Sequence, residues 1–350
     1  MSLTRADSST FIIAEAGVNH NGRIEAARKL IDAAADAGAD AVKFQTWVTE
    51  EVVTPGAPLA PYQAAGNDTI DQFSLLKKLE LSWAAFKELK AYSETSELEF
   101  LSTPDEEKSA DFLDSIGVSA FKIGSGELTN LPLLKHVATK GKPIVLSTGM
   151  GTLLEVEEAV RTIEDAYPET GEQPPIILLH AVTAYPAPAE EYNLRALVTL
   201  KEYFGYPVGL SDHTQGHEVA LAAIALGAGV IEKHLTLDQT MDGPDHAASM
   251  NPARFKELVR KVRLVEKALG DGVKKPAACE MENLIIVRKS LVARVTIPAG
   301  TVIREEMLSA LRPGTGISPS RLKTVIGKRA RQNIPADIQL SSNHFTTDID

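Results

Sequence analysis

Two histidines close consecutive apolar runs of this chain: His213 ends Val208–His213 (VGLSDH) and His234 ends Val230–His234 (VIEKH). Neighbouring strands lie ~4.8 Å apart, so two imidazoles at the same level can share one ligand. Two imidazoles with oxygen donors and open positions suit a borderline divalent ion such as Mn2+, Fe2+, Co2+ or Zn2+. The alternative is a pair of hydrogen-bonded histidines capping their strands. Asp212 and Glu232, standing beside them in sequence, favour the metal.

A second set combines two amines with hydroxyls: Lys43, Lys122, Thr103, Ser125 and Ser147. Ammonium groups with hydroxyls hold a phosphate or carboxylate by charge-assisted hydrogen bonds. Ser125-Gly126-Glu127 and Ser147-Thr148-Gly149-Met150-Gly151 add small residues whose backbone amides can approach an oxyanion. A Schiff-base lysine is the rival use of Lys43 or Lys122. Glu15 and Glu127 are the candidate proton-transfer groups. Burial would raise the pKa of Glu15 and nearby lysines would lower it. Asn19-His20-Asn21-Gly22, Tyr185-Pro186 and Gly243-Pro244-Asp245 supply further polar side chains on turns.

Nearly all of these residues fall at the ends of short apolar runs, and those runs number eight. They are Phe11–Asn19, Ala41–Gln45, Glu99–Thr103, Ala120–Ser125, Pro143–Ser147, Ile176–Val182, Val208–His213 and Val230–His234. Helix-like stretches separate them: Glu25–Ala37, Trp83–Ser93, Glu106–Ile116, Leu154–Ala166, Asn193–Phe204, His217–Leu226 and Pro252–Leu269. In the first, Ala26, Leu30, Ile31, Ala34 and Ala35 form one apolar stripe, and Gly38 stops the helix. Alternating strands and helices imply a parallel sheet, and eight units close a (β/α)8 TIM barrel. Such barrels carry their active sites at the C-terminal strand ends.

Thr46–Glu80, with Pro55, Pro58 and Pro61, is too long for an idle connection and is expected to form a lid or a substrate wall. The barrel is expected over residues 1–270. A Gly-, Lys- and Pro-containing linker follows at 271–282, and a small, mostly β domain at 283–350, with Pro298–Gly300 and Pro313–Gly316 as turns.

Hydrophobic residues at 44% and charged residues at 24% are those of an ordinary globular protein. A net charge of −11 argues against nucleic acid as a partner. The single Cys279 excludes an intrachain disulfide. The short polar Met1–Ser9 has no apolar core of a secretory leader, and no run approaches ~20 apolar residues. A cytoplasmic enzyme without a membrane partner is expected.

Taken in order, the motifs resemble the N-acylneuraminate (sialic acid) synthase family. They are Ala14–Gly22 (AEAGVNHNG), Val42–Gln45 (VKFQ), Lys122–Glu127 (KIGSGE), Ser147–Met150 (STGM), Gly209–Thr214 (GLSDHT), Glu232–His234 (EKH) and Gly243–Asp245 (GPD). Arg312–Ile317 (RPGTGI) is similar to the antifreeze-like SAF domain that ends these enzymes. The resemblance implies condensation of phosphoenolpyruvate with an open-chain N-acylated amino sugar, N-acetylmannosamine or a 6-deoxy diacetamido relative. The products are a nonulosonic acid and phosphate.

It further implies Mn2+, or else Co2+ or Zn2+, on His213 and His234. Lys43, Thr103, Lys122, Ser125, Ser147, Thr183 and Ser211 would bind the phosphoenolpyruvate, while Glu15 and Glu127 stand near the reacting centre, with proton transfer assigned to Glu127. Gln45, Tyr185 and Asp245 would contact the sugar, and Arg312 would reach the neighbouring subunit's site in a domain-swapped homodimer. The chain departs from the family where His-Cys-x-x-x-Tyr-Pro is usual, reading His180-Ala181-Val182-Thr183-Ala184-Tyr185-Pro186, and Asn67–Phe73 gives no clear match to a sugar-contacting Asn. Leu75–Leu81 (LLKKLEL) and Gly270–Pro276 (GDGVKKP) look closer to the legionaminate and spore-coat polysaccharide branches.

Overall fold

In the computed structural model, residues 9–60, 63, 71–168 and 173–346 are described. The polar start of the chain and Asn67 lie outside them. Eight parallel strands form the first compact unit, 1–270. They are β1 (Phe11–Gly17), β2 (Ala41–Thr46), β3 (Glu99–Pro104), β4 (Phe121–Ile123), β5 (Ile144–Ser147), β6 (Ile176–Ala181), β7 (Val208–Asp212) and β8 (Val230–His234). The order β3-β2-β1-β8-β7-β6-β5-β4 places β3 and β4 at its two ends, and these pack alongside each other to close the ring. The expected TIM barrel is therefore the observed fold.

Successive strand side chains point to opposite faces, and the burial pattern divides along that alternation. Phe11, Ile13, Ala41, Leu101, Ala120, Val145, Ile177, Leu179 and Val230 fill the barrel interior. Ile12, Ala14, Val42, Phe44, Phe100, Phe121 and Leu146 face the helices in the larger outer core. One step further along the inward set, the side chains turn polar: Ile13 gives way to Glu15, Ala41 to Lys43, Leu101 to Thr103, Ala120 to Lys122, Val145 to Ser147 and Val230 to Glu232. The apolar plug thus sets the depth of the polar floor above it. Gly209 belongs to the plug, because a Cβ there would lie 2.5 Å from the Val230 carbonyl oxygen and 2.6 Å from Leu179.

The helices follow the expected stripes within a residue or two at most ends. Leu131–Ala138 was not anticipated; Asn130 caps it, accepting from the Leu133 N–H, and Pro132 lies in its first turn. Among the described residues, the long connection after β2 includes the short helices Thr49–Val52 and Gln72–Leu79. Asp71 caps the second by accepting from the Ser74 N–H.

The second compact unit is 271–350. Its β9 (Ser290–Ala293) and β10 (Leu308–Leu311) pair antiparallel, and isolated bridges such as Ile297 to Ile334 and Val302 to Arg329 add to them. Leu291, Ile297, Ile303, Ile334, Leu340 and Phe345 form its own core. Where a linker was expected up to residue 282, the chain turns helical at Ala278, and Met281–Val287 is a helix.

Candidate active site

The C-terminal ends of the eight strands surround a cavity of about 280 Å3. Of the barrel residues to which the resemblance gives a role, all line it except Glu127: Glu15, Lys43, Gln45, Thr103, Lys122, Ser125, Ser147, Thr183, Tyr185, Ser211, His213, His234 and Asp245; Asp212 and His20 do not line it. Strand register explains the convergence. Glu15 on β1 is paired with Lys43 on β2 and with His234 on β8; Gln45 is paired with Thr103, and Ser211 with Glu232. Paired residues of parallel strands point to the same face.

Ion pairs hold the floor. Lys43 Nζ lies 2.8 Å from Glu15 Oε2 and 3.6 Å from Glu232 Oε2, and it donates to Thr103 Oγ1 at 3.3 Å. Lys122 Nζ lies 3.4 Å from Glu232 Oε1 and donates to the Ile123 carbonyl. Gln45 Nε2 donates to Glu15 Oε1 at 2.9 Å, and Ser211 Oγ to Glu232 Oε1 at 2.9 Å. Burial pushes the Glu15 carboxyl up, but Lys43, His234 and Lys122 together outweigh it and hold the group well below the usual carboxylate range. For Lys43 the burial cost is likewise overcome, by Glu15 and Glu232, and its pKa rises. Burial wins at Lys122, whose pKa falls despite Glu232. Two hydroxyls lining the cavity, Ser147 Oγ and Thr183 Oγ1, are buried with no hydrogen-bond partner. Gly149 donates its N–H to Ser125 Oγ at 3.0 Å.

The histidines stand at one side of the mouth, with ring centroids 5.4 Å apart and the Tyr185 ring 4.3 Å from that of His213. His213 lies one residue beyond β7. Its Nδ1 faces the Val182 carbonyl at 2.7 Å, so Nδ1 carries the proton and Nε2 keeps its lone pair. Burial, with His234 adding to it, lowers the His213 pKa to about 3, which keeps the ring neutral. His234 Nδ1 is buried without a hydrogen-bond partner, 3.8 Å from Asp245 Oδ2, and its Nε2 lies 3.8 Å from Glu15 Oε2. A neutral imidazole lone pair and an unpartnered imidazole nitrogen facing one cavity fit a divalent ion. Among the described residues no set of three or more His, Cys, Asp or Glu side chains is arranged to hold one. Two protein ligands would leave the remaining positions to substrate or water oxygens.

The carboxylates expected to assist the histidines do other work. Asp212 pairs with Lys233 at 2.8 Å and accepts from Thr214, while Glu232 serves the two lysines. Buried Tyr192 accepts from the His213 N–H and donates to the Ser211 carbonyl, which pins the end of β7.

Glu127 sits on the turn Ser125–Glu127 and accepts from Asn130 Nδ2, and it is not among the cavity-lining residues. Arg312 belongs to the second unit, where it is exposed and its Nε donates to the Val287 carbonyl at 2.9 Å. Asp105 lines the cavity without having been singled out, and Glu232, named only as a neighbour of the histidines, lines it as well. Glu232 was readable from the alternation, two residues before His234. Asp105 lies beyond Pro104, where strand periodicity no longer informs. The long connection supplies a wall, through Gln63, Leu75, Leu76 and Leu79.

The NeuB family model matches residues 30–274, and the SAF domain model matches residues 288–346. The chain is 48% identical to N,N'-diacetyllegionaminic acid synthase of Campylobacter jejuni, over 94% of this chain and 98% of that protein. It is 44% identical to the synthase of the same name from Legionella pneumophila, over 97% and 96%. Among solved structures it is similar to N-acetylneuraminic acid synthetase of Leptospira borgpetersenii, with a TM-score of 0.69 and 36% identity, covering 79% of this chain and 90% of that one.

Proposed function

The chain belongs to the NeuB family, and on that footing we propose that its barrel condenses phosphoenolpyruvate with an open-chain N-acylated amino sugar, releasing phosphate and a nonulosonic acid. The observation that carries this reading is the floor itself. Two buried lysines line one cavity with two buried hydroxyls, Ser147 Oγ and Thr183 Oγ1, that have no partner of their own. Buried polar groups are normally hydrogen-bonded, and a phosphate or carboxylate would satisfy these. Identity of 48% and 44% to diacetyllegionaminate synthases, against 36% to the N-acetylneuraminic acid synthetase, favours a 6-deoxy diacetamido acceptor.

Carbon 3 of the enol phosphate forms a bond to the sugar's aldehyde carbon, whose oxygen becomes an alkoxide. Carbon 2, left cationic, adds water and gives up one of its protons, which neutralises the alkoxide. The phosphate C–O bond then breaks, its electron pair and the second water proton leave with phosphate, and the keto acid forms. Lys43, Lys122, Thr103, Ser125, Ser147, Thr183 and Ser211 hold the donor. The water adding to carbon 2 becomes strongly acidic, so even a carboxylate of low pKa accepts its proton. Glu15, ionised and on the cavity floor, takes that role in preference to Glu127, which does not line the cavity. Gln45, Tyr185 and Asp245 orient the acceptor, and the leucine wall excludes water. His213 and His234 would hold a divalent ion, most simply Mn2+, with Co2+ and Zn2+ as alternatives, supplying Lewis-acid polarisation of the aldehyde.

Lys43 is a poor Schiff-base candidate, because its ion pairs raise its pKa and keep it protonated. A central-metabolism donor assigns the reaction to the cytoplasm. The loop Arg312–Ile317 is assigned to a second copy of the chain in a domain-swapped homodimer, as the family resemblance implies.

The test is phosphate release from phosphoenolpyruvate with Mn2+ across a panel of acceptors that includes N-acetylmannosamine and its 6-deoxy diacetamido relatives. Release that requires a diacetamido sugar is expected. Release without any sugar, or borohydride trapping of Lys43 or Lys122, would overturn the reading.

A further inference from the structure

The cavity is short of positive charge for the anion it is assigned. Among the described residues, four carboxylates line it, from Glu15, Asp105, Glu232 and Asp245, against two ammonium groups, from Lys43 and Lys122. Both lysines are already paired, Lys43 with Glu15 and Glu232, and Lys122 with Glu232. A phosphate brings roughly −1.5 to −2 charges, and the donor's carboxylate adds another. A divalent ion on the histidines offsets only part of this excess.

The four carboxylates are not equivalent. Glu15 and Glu232 are locked in ion pairs, and Asp245 faces His234. Asp105 has no cation within 4 Å among the described residues. It stands two residues beyond Thr103, on the wall shared with Gly124, Ser125 and Gly126. Its backbone N–H donates to the Thr46 carbonyl at 3.1 Å, which fixes the loop while leaving the carboxyl to the cavity. The charged groups around it are Glu127 after β4, Lys43 on β2, Glu106 next along the chain and Glu15 on β1.

We propose that Asp105 takes up a proton as the phosphoenolpyruvate anion binds, and thereby admits the anion to a carboxylate-rich cavity. The proposal rests on the donor assigned above. The surroundings support it: burial, reinforced by Glu127 and opposed by Lys43, brings the carboxyl up to about 8 before any ligand arrives. An arriving anion disfavours the ionised form further. At pH 9 the free protein holds Asp105 mostly ionised, so binding must recruit a proton. At pH 6.5 the proton is already present and uptake vanishes.

The experiment is calorimetric titration of phosphoenolpyruvate into the Mn2+-loaded full chain. Titrations at pH 8.5 in two buffers of different ionisation heat give the protons taken up per donor bound. Wild type is expected to take up a sizeable fraction of a proton, and its affinity to fall toward tenfold between pH 8.5 and 9.5. Asp105→Asn should bind without that uptake and with a flatter pH dependence, while Asp105→Glu should retain uptake. Glu127→Gln, which removes repulsion without touching Asp105, should move the onset of uptake to lower pH. Uptake unchanged in Asp105→Asn would overturn the proposal and leave the donor assignment standing. Absence of any phosphoenolpyruvate binding by folded, metal-loaded wild type would overturn the donor assignment and this proposal together.

Discussion

Glu15 Oε2 and Lys43 Nζ lie 2.8 Å apart on neighbouring strands, both less than 5% exposed, with Glu232 behind the lysine at 3.6 Å. The register that pairs their Cα positions makes this contact. Removing one partner of a buried pair leaves an uncompensated charge, at a cost of about 3–5 kcal/mol. Lys43→Met is therefore expected to lose about that much in denaturant unfolding. The double variant Lys43→Met/Glu15→Gln should recover part of the loss. Equal destabilisation in the single and double variants would contradict the ion-pair account.

Gly149 stands where donor-binding hydroxyls converge. A Cβ there would lie 2.5 Å from Thr183 Oγ1 and 2.7 Å from Ser125 Oγ. Displacing groups near the reacting centre by about 1 Å can cost ~10²-fold. Gly149→Ala should fold normally by circular dichroism yet lose roughly that factor in kcat/KM for phosphoenolpyruvate. Unchanged kinetics would remove Ser125 and Thr183 from the donor site.

His20 gives a pH signature independent of catalysis. It is fully buried, its Nδ1 accepts from the Gly22 N–H at 3.0 Å, and burial, helped by His246, lowers its pKa to about 4 from 6.5. The unfolded chain therefore binds a proton that the folded chain refuses between those values. Its contribution is fully present above pH 6.5 and is lost as pH falls toward 4, up to about 3 kcal/mol. His20→Gln should flatten that part of the stability profile in urea melts taken from pH 7 to pH 4. A slope identical to wild type would assign the effect to other groups.

His213→Ala and His234→Ala should each abolish Mn2+-dependent turnover, and a chelator should do the same to wild type, reversibly. Loss of one of two ligands is expected to weaken metal affinity by at least the ~10–100-fold seen for outer-shell changes. Full activity in both variants would refute the metal assignment.

Cutting the chain after Gly270 follows the boundary between its two compact units. The barrel should keep its cooperative melt while turnover is lost, and Arg312→Ala in the full chain should lose most of that turnover. An active isolated barrel would exclude the arginine loop from catalysis.

Much of this was legible in the sequence because a closed parallel barrel leaves little freedom. Alternation along each strand decides which residues point inward, and shared register brings their ends into one plane. Seven of the eight apolar runs carry Glu15, Lys43, Thr103, Lys122, Ser147, Ser211 or His234 at or near their ends, and that was enough to assemble the site. The length of Thr46–Glu80 pointed to a wall, and the resemblance added the chemistry. What the tertiary structure alone decided depends on distance through space. It committed Glu232 to both lysines and Asp212 to Lys233, fixed the His213 proton through the Val182 carbonyl, and turned Glu127 toward Asn130. It also left Asp105 as the carboxylate without a cation among the described residues lining the cavity. Charges act across strands far apart in the chain, and no local pattern of residue types records which partner each will meet.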